Sequence, residues 1–257
     1  MKIQVSILIC ACALISFAED SQSPTNEENK PSVLQRVGGF VIDYKAAQGK
    51  YAFINCQNTV DLKLVSGLAK MMQNDYCWIF QYTNANTVSS IKEAIDRKHS
   101  VGALAAVVFA ADEQLPSLTS LPEENLSIIN VTSLKEGNPK QILLDNRIVR
   151  ETLRGFAFSL GAGYSSYEIG AMAPISKVAE LDLFSGNFIP PDTVNAAMVN
   201  GGKIGFKPYR RTTYKRACKE GWAPAPTNDF QKAVWEKIHE LPSEPIKILP
   251  ETKKVSD

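Results

Sequence analysis

The order of apolar segments predicts an α/β fold: a mixed, mostly parallel sheet with an edge strand, packed by helices and followed by a helical C-terminal part. Three observations carry this expectation. Strand-like and helix-like segments alternate from residue 50 to residue 111. Residues 102–111 are a continuous apolar run, as in a strand covered on both faces. Residues 140–160 form the longest stretch with apolar side chains at helical spacing.

Taken in order, residues 37–43 and Lys50–Cys56 are β-branched and aromatic, joined by a short Ala-Ala-Gln-Gly segment. They read as a hairpin or a closely connected strand pair. Leu64, Val65, Leu68 and Met71/Met72 give residues 60–72 a helical stripe. Residues 77–82 are strand-like, and residues 87–98 a short helix with Ile91, Ala94 and Ile95 inward. After a proline-punctuated stretch, residues 126–134 read as the last strand, at the sheet edge because they mix polar residues with flanking prolines. The long helix, residues 140–160, buries Ile142, Val149, Leu153, Phe156, Ala157 and Leu160. Gly161 and Gly163 are placed to stop it. Helices are then expected over 191–202, 209–220 and, capped by Asn228, 229–241 with Phe230, Val234, Ile238 and Leu241 inside.

The ends of the chain read differently from its middle. Lys2, the apolar run 3–15 and Ser16-Phe17-Ala18 have the form of a cleavable secretion signal over residues 1–18. A lipid-modified Cys12 is the competing reading. Residues 19–35 form a polar leader, 36–243 a single domain, and 244–257 a charged, proline-bearing tail. No segment after the leader is long and apolar enough for a transmembrane span. Without Lys2 the chain holds 27 basic and 27 acidic residues, so net charge gives no reason to expect a nucleic-acid partner. The exported chain would be periplasmic or extracellular. It would keep Cys56, Cys77 and Cys218, an odd number. If the strands that carry Cys56 and Cys77 are parallel neighbours, the two cysteines lie at opposite ends, too far apart for a bridge, so all three are expected to act as small apolar residues.

The stretch from Arg154 to Asp182 carries the most information. It reads Arg154-Gly155-Phe156-Ala157-Phe158-Ser159-Leu160-Gly161-Ala162-Gly163-Tyr164, then Gly170-Ala171-Met172, then Ala179-Glu180-Leu181-Asp182. This resembles the archaemetzincin branch of the metzincin peptidases. There a helix bears His-Glu-x-x-His-x-x-Gly-x-x-His and is followed by a methionine turn and a Glu-Leu-Asp-like segment. The resemblance covers roughly residues 50–183 and implies a metzincin-like sheet and cleft. It places the three metal-binding histidines at Arg154, Phe158 and Tyr164, the catalytic glutamate at Gly155, and keeps only the glycine, Gly161, with Met172 in the turn. A rival register that retains a glutamate, Glu151 between Arg150 and Arg154, puts Ala157 at the bend and is set aside.

Zinc hydrolysis needs two imidazoles four residues apart on one helix face, a third ligand beyond the bend and an open position for water. Arg154 is permanently cationic and Phe158 has no lone pair. The whole chain has two histidines, His99 and His239, both distant in sequence. No cofactor or metal is therefore expected, and zinc-dependent proteolysis is argued against. What remains is a non-catalytic binding or structural protein whose cleft borders the 126–134 strand, with Ile128 and Asn130 as contacts for an extended peptide. Arg154 would fill the metal's place, satisfied by Glu168 or Glu180. Two alternatives stay open. One is a metal-free hydrolase using Asp112, Glu113, Glu123 or Glu124. The other is a binder of anionic envelope polymers through residues 203–219, where seven bases and no acid are interleaved with Phe206, Tyr209 and Tyr214. On a helix, Arg211, Lys215 and Lys219 would share a face beside Arg210.

Overall fold

The computed structural model describes residues 39–240 other than 89, 113, 168 and 169. The signal, leader and tail expectations therefore lie outside the described residues. The main sheet has five strands: β2 (Lys50–Cys56), β3 (Ile79–Ala85), β4 (Ala105–Ala110), β5 (Leu118–Leu121) and β6 (Leu126–Asn130), in the order β3-β2-β4-β6-β5. β2, β3, β4 and β6 run parallel, and β5 pairs antiparallel with β6. The expected mixed, mostly parallel α/β sheet is present.

Alternation along the central strands β2, β4 and β6 explains why they are dry on both faces. Tyr51, Phe53, Val107, Phe109 and Ile129 point into one core, and Ala52, Ile54, Ala106, Val108 and Ile128 into the other. The first core is aromatic and deep. Helices α1 (Leu62–Tyr76) and α4 (Gln141–Ser159) cover it, with α3 (Val131–Leu134), a single turn, between β6 and α4. Trp78 stacks on Phe206 with ring centroids 4.4 Å apart, and α5 (Pro191–Lys203) lies so close that a Cβ on Gly201 would sit 2.2 Å from the indole. The second core is thinner and lined by alanines under α2 (Ile91–Ser100), which Ser90 caps by accepting from the Glu93 amide.

Four expectations are corrected. Residues 126–134 do not form the edge: β6 is buried between β4 and β5, and its end turns into α3, whose Val131 and Leu134 are buried. The edge on that side is the four-residue β5, half-buried on every side chain, and β3 is the other edge. The first strand makes no hairpin with β2. Instead β1 (Phe40–Asp43) pairs antiparallel with β7 (Arg210–Thr213) in a separate two-stranded ribbon. Residues 209–220 are not one helix but β7 followed by α6 (Tyr214–Lys219), so Arg211 and Lys215 share no helix face. Ile142 and Phe230, expected inside, are exposed, the latter on α7 (Asp229–His239).

Cys56 closes β2 and Cys77 caps α1 in a left-handed conformation, each at an opposite end of the paired strands. Burial pushes the Cys56 thiol up to about 11, so it behaves as an apolar filler. Among the described residues, no helix is long and apolar enough to cross a membrane.

Candidate functional site

Helix α4 organises the site. It ends with Ser159, and the chain leaves through a left-handed Gly161 (φ +69°). The Gly161 amide donates to the Phe158 carbonyl (2.9 Å) and the Ala162 amide to the Ala157 carbonyl (3.0 Å), a two-bond closure that a Cβ at Gly161 would strain. Gly163 does not take that conformation.

Three buried arginines, roughly one per helical turn, tie α4 to the segment that follows it. Arg147 grips Asp182 with two parallel bonds (2.9 and 2.7 Å) and also donates to the Leu134 and Glu136 carbonyls (2.8 and 2.7 Å). Arg150 donates to Asn187 Oδ1 (2.9 Å) and to the carbonyls of Leu181 and Phe184. Arg154 donates through one nitrogen, Nη1, to the carbonyls of Ala171 (2.8 Å) and Ala173 (2.7 Å), which flank the fully buried Met172. A planar guanidinium suits this task because its donors form a rigid fork and its charge is permanent. The segment Glu180-Leu181-Asp182 is thus clamped to the helix, while Glu180 itself accepts from the Ser176 amide (2.7 Å).

Arg154 is the focus. Its side chain is 4% exposed, and its Nε lies 2.8 Å from Oε2 of Glu151, whose side chain is fully buried. The two atoms attract by charge but are not aligned as a hydrogen bond, so each lacks a hydrogen-bond partner. Glu151 Oε1 accepts from Ser117 (2.9 Å). Burial raises the Glu151 pKa, and the nearby Arg154 charge and the Ser117 hydrogen bond only partly oppose that rise. The Arg154 guanidinium carbon is 5.6 Å from the Phe158 ring centroid and 5.9 Å from that of Tyr164, and the two rings meet edge to face at 5.1 Å. Side chains 154, 158 and 164 therefore converge beside the Met172 turn.

They line an open cleft of about 980 Å³ together with Glu151, Ser117, Leu118 and Ser120. One wall is the free edge of β5; the opposite wall includes Ile175 and Val178. The remaining arginine nitrogen, Nη2, has no protein partner among the described residues and belongs to a side chain lining this cleft.

The other expected residues lie elsewhere. Gly155 faces the sheet: a Cβ there would meet Ser127 and Val107 at 3.3 Å, leaving no room for a glutamate. Ile128 is buried in the thinner core, and Asn130 is consumed in holding the 112–117 loop by its bonds to Asp112 and Leu115. Neither reaches the cleft. Arg210, Arg211 and Lys215 are exposed on the ribbon and α6, not in the cleft. Of the carboxylates expected near it, Glu123 lines the cleft; Glu113 is outside the described residues, as is Glu168. Glu151 entered only through the register that was set aside, and Ser117 was not foreseen. The signal for Glu151 was its i, i+3 spacing to Arg154 on the same helix face.

These residues do not fit a zinc ion. A guanidinium already bound to two carbonyls cannot ligate a cation, Phe158 offers no donor, and Tyr164 alone cannot hold a divalent cation. Among the described residues, no group of three His, Cys, Asp or Glu side chains is placed to bind a metal.

Fold and site together define a mixed α/β protein with a cleft between a long helix and an antiparallel edge strand, floored by a buried arginine. Two solved structures are similar to it. Archaemetzincin from Methanopyrus kandleri has a TM-score of 0.45 and 14% identity, with 60% of this chain and 95% of that chain covered. A zinc-dependent peptidase from Methanocorpusculum labreanum (strain Z) has a TM-score of 0.44 and 11% identity, covering 58% of this chain and 100% of that chain. No protein-family model matches the chain, and no curated protein does.

Proposed function

We propose that this chain is an exported, non-catalytic protein on a metzincin-like framework, which binds extended peptide in the α4–β5 cleft. The observation that carries the reading is Arg154. A fixed cation stands beside the methionine turn, neutralised by Glu151 and bound to the carbonyls on either side of Met172. Its Nη2, unpartnered among the described residues, can donate to a peptide carbonyl, and Glu151 keeps the site from demanding an anion. The open edge of β5 supplies main-chain donors and acceptors to an added strand, now from Leu118–Leu121 rather than from residues 126–134. Tyr164, 61% exposed, forms an aromatic rim. Export rests on the form of residues 1–18, with 19–35 as leader and 36–243 as the folded domain.

The metal-free hydrolase is the weaker alternative. It calls for two buried carboxylates facing one cleft, whereas among the described residues Glu151 is the buried one and Arg154 holds it. The test is selection of linear peptides on the purified protein, followed by amide-resonance mapping and zinc analysis. The reading expects shifts at Leu118–Leu121 and Tyr164 and no chelator-sensitive cleavage. Stoichiometric zinc with chelator-sensitive hydrolysis overturns it.

A further inference from the structure

A second hollow, of about 560 Å³, lies where the chain leaves β2 and β3, and it shares no residue with the α4–β5 cleft. Topology puts it there. β2 hands the chain to α1, which packs on the aromatic core, while its neighbour β3 hands it to α2, which packs on the alanine-lined core. Adjacent parallel strands whose exits turn to opposite faces leave a crevice at their carboxyl ends, the usual ligand position of an open α/β sheet. Its two walls are pinned to each other. The Gln57 amide donates to the Ala85 carbonyl (2.9 Å), and the Gln57 carboxamide donates to the Thr87 hydroxyl. The buried Asn55 holds the turn after β2 through the carbonyl and amide of Val60 (2.8 and 3.1 Å). The hollow is therefore preformed.

The groups left over for a ligand are of two kinds. Asn58, Asn84, Asn86 and Arg97 line the hollow, all exposed, and their side chains have no hydrogen-bond or ion-pair partner among the described residues. No carboxylate and no aromatic ring lines it among the described residues. A carboxamide sets a donor beside an acceptor, the pattern that a run of hydroxyl groups matches. A guanidinium fork matches one carboxylate. A phosphate is commonly met by a helix N-terminus, but the start of α2 is already capped by Ser90 and carries Glu93 in its first turn. Glu93 and Asp96 also line a neighbouring hollow that shares Thr87 and Arg97, and they oppose a second negative charge there. A neutral sugar would leave the Arg97 charge unused. We infer that the β2–β3 crevice binds a small hydroxylated carboxylate, a sugar acid, with Arg97 gripping the carboxylate and Asn58, Asn84 and Asn86 taking the hydroxyls.

The experiment is titration of the purified protein with glucuronate, glucose, glucose 1-phosphate and acetate, followed through its amide resonances. The inference expects glucuronate to shift residues 57–58 and 84–87 and to leave Leu118–Leu121 unmoved, so it stands or falls apart from the peptide reading of the cleft. Glucuronate binds about tenfold or more tighter than glucose or acetate. Arg97→Gln brings it down to the level of glucose, while Arg97→Lys, which keeps the charge and loses the fork, retains part of the preference. Asn84→Ala with Asn86→Ala lowers glucuronate binding about fivefold or more. All the replaced side chains are exposed, so these variants keep the melting temperature of the parent. Equal affinity for glucuronate and glucose, acetate bound as tightly as glucuronate, or no binding of any of the four overturns it. Tighter binding of glucose 1-phosphate assigns the crevice to a phosphate and also overturns it.

Discussion

The cleft and the ribbon both pair arginine with aromatic rings, but in opposite settings. In the cleft, Arg154 is almost fully buried, beside a fully buried carboxylate and two carbonyls. On the ribbon, Arg211 lies across an exposed Phe40 in water. A buried ion pair costs several kcal/mol to desolvate and persists because removing one partner strands the other. An exposed cation–ring contact contributes about 0.5–1 kcal/mol and leaves the fold free to change it. The cleft arginine is therefore part of the architecture, and the ribbon arginine part of the surface chemistry.

The largest test of that contrast is Arg154→Met, which leaves Glu151 buried and unpaired and should cost about 3–5 kcal/mol in urea unfolding. Adding Glu151→Leu should recover most of the loss; a single-variant cost below about 1 kcal/mol would mean that the pair is solvated after all. Next comes Gly201→Ala, whose Cβ would lie 2.2 Å from the Trp78 ring. Trp78 stacks on Phe206 in the core and has little room to retreat, so a loss of about 1–3 kcal/mol is expected. A neutral result there would show that α5 can slide.

A smaller effect should appear with pH. Burial raises the Glu151 pKa in the folded protein, so the fold favours the protonated acid. Its contribution is complete below the unfolded value, about 4.3, and falls as pH climbs through the folded pKa. The stability of the parent minus that of Glu151→Gln should thus decline from pH 4 upward. A difference that grows with pH would mean that the Arg154 attraction outweighs desolvation. Smallest of all, Phe40→Ser should alter unfolding free energy by no more than about 0.5 kcal/mol, because the ring is half exposed.

What could be read ahead of the structure follows from range. β4 shows as an unbroken apolar run because both its faces are covered, and the α4 terminus shows because Gly161 takes a left-handed turn. Positions 154 and 158 share a helix face by their i, i+4 spacing, and Tyr164 joins them beyond the Gly161 turn. The β1–β7 pairing joins residues about 170 apart, such as Phe40 and Thr213, so no local pattern announces it. Arg147 and Arg150 look like solvated helix residues until Asp182 and the carbonyls of 181 and 184 fold back onto them. β5, four residues between prolines, is too short to show a period, and so the edge was placed on its neighbour.

The central claim is that Arg154, Phe158 and Tyr164 stand where three ligands of a peptidase-like metal site would project. Replacing all three with histidine and measuring bound zinc tests it most directly. The account predicts about one zinc per folded chain in the triple variant, lost on chelation, and none in the parent. A folded triple variant with no more zinc than its parent would contradict it.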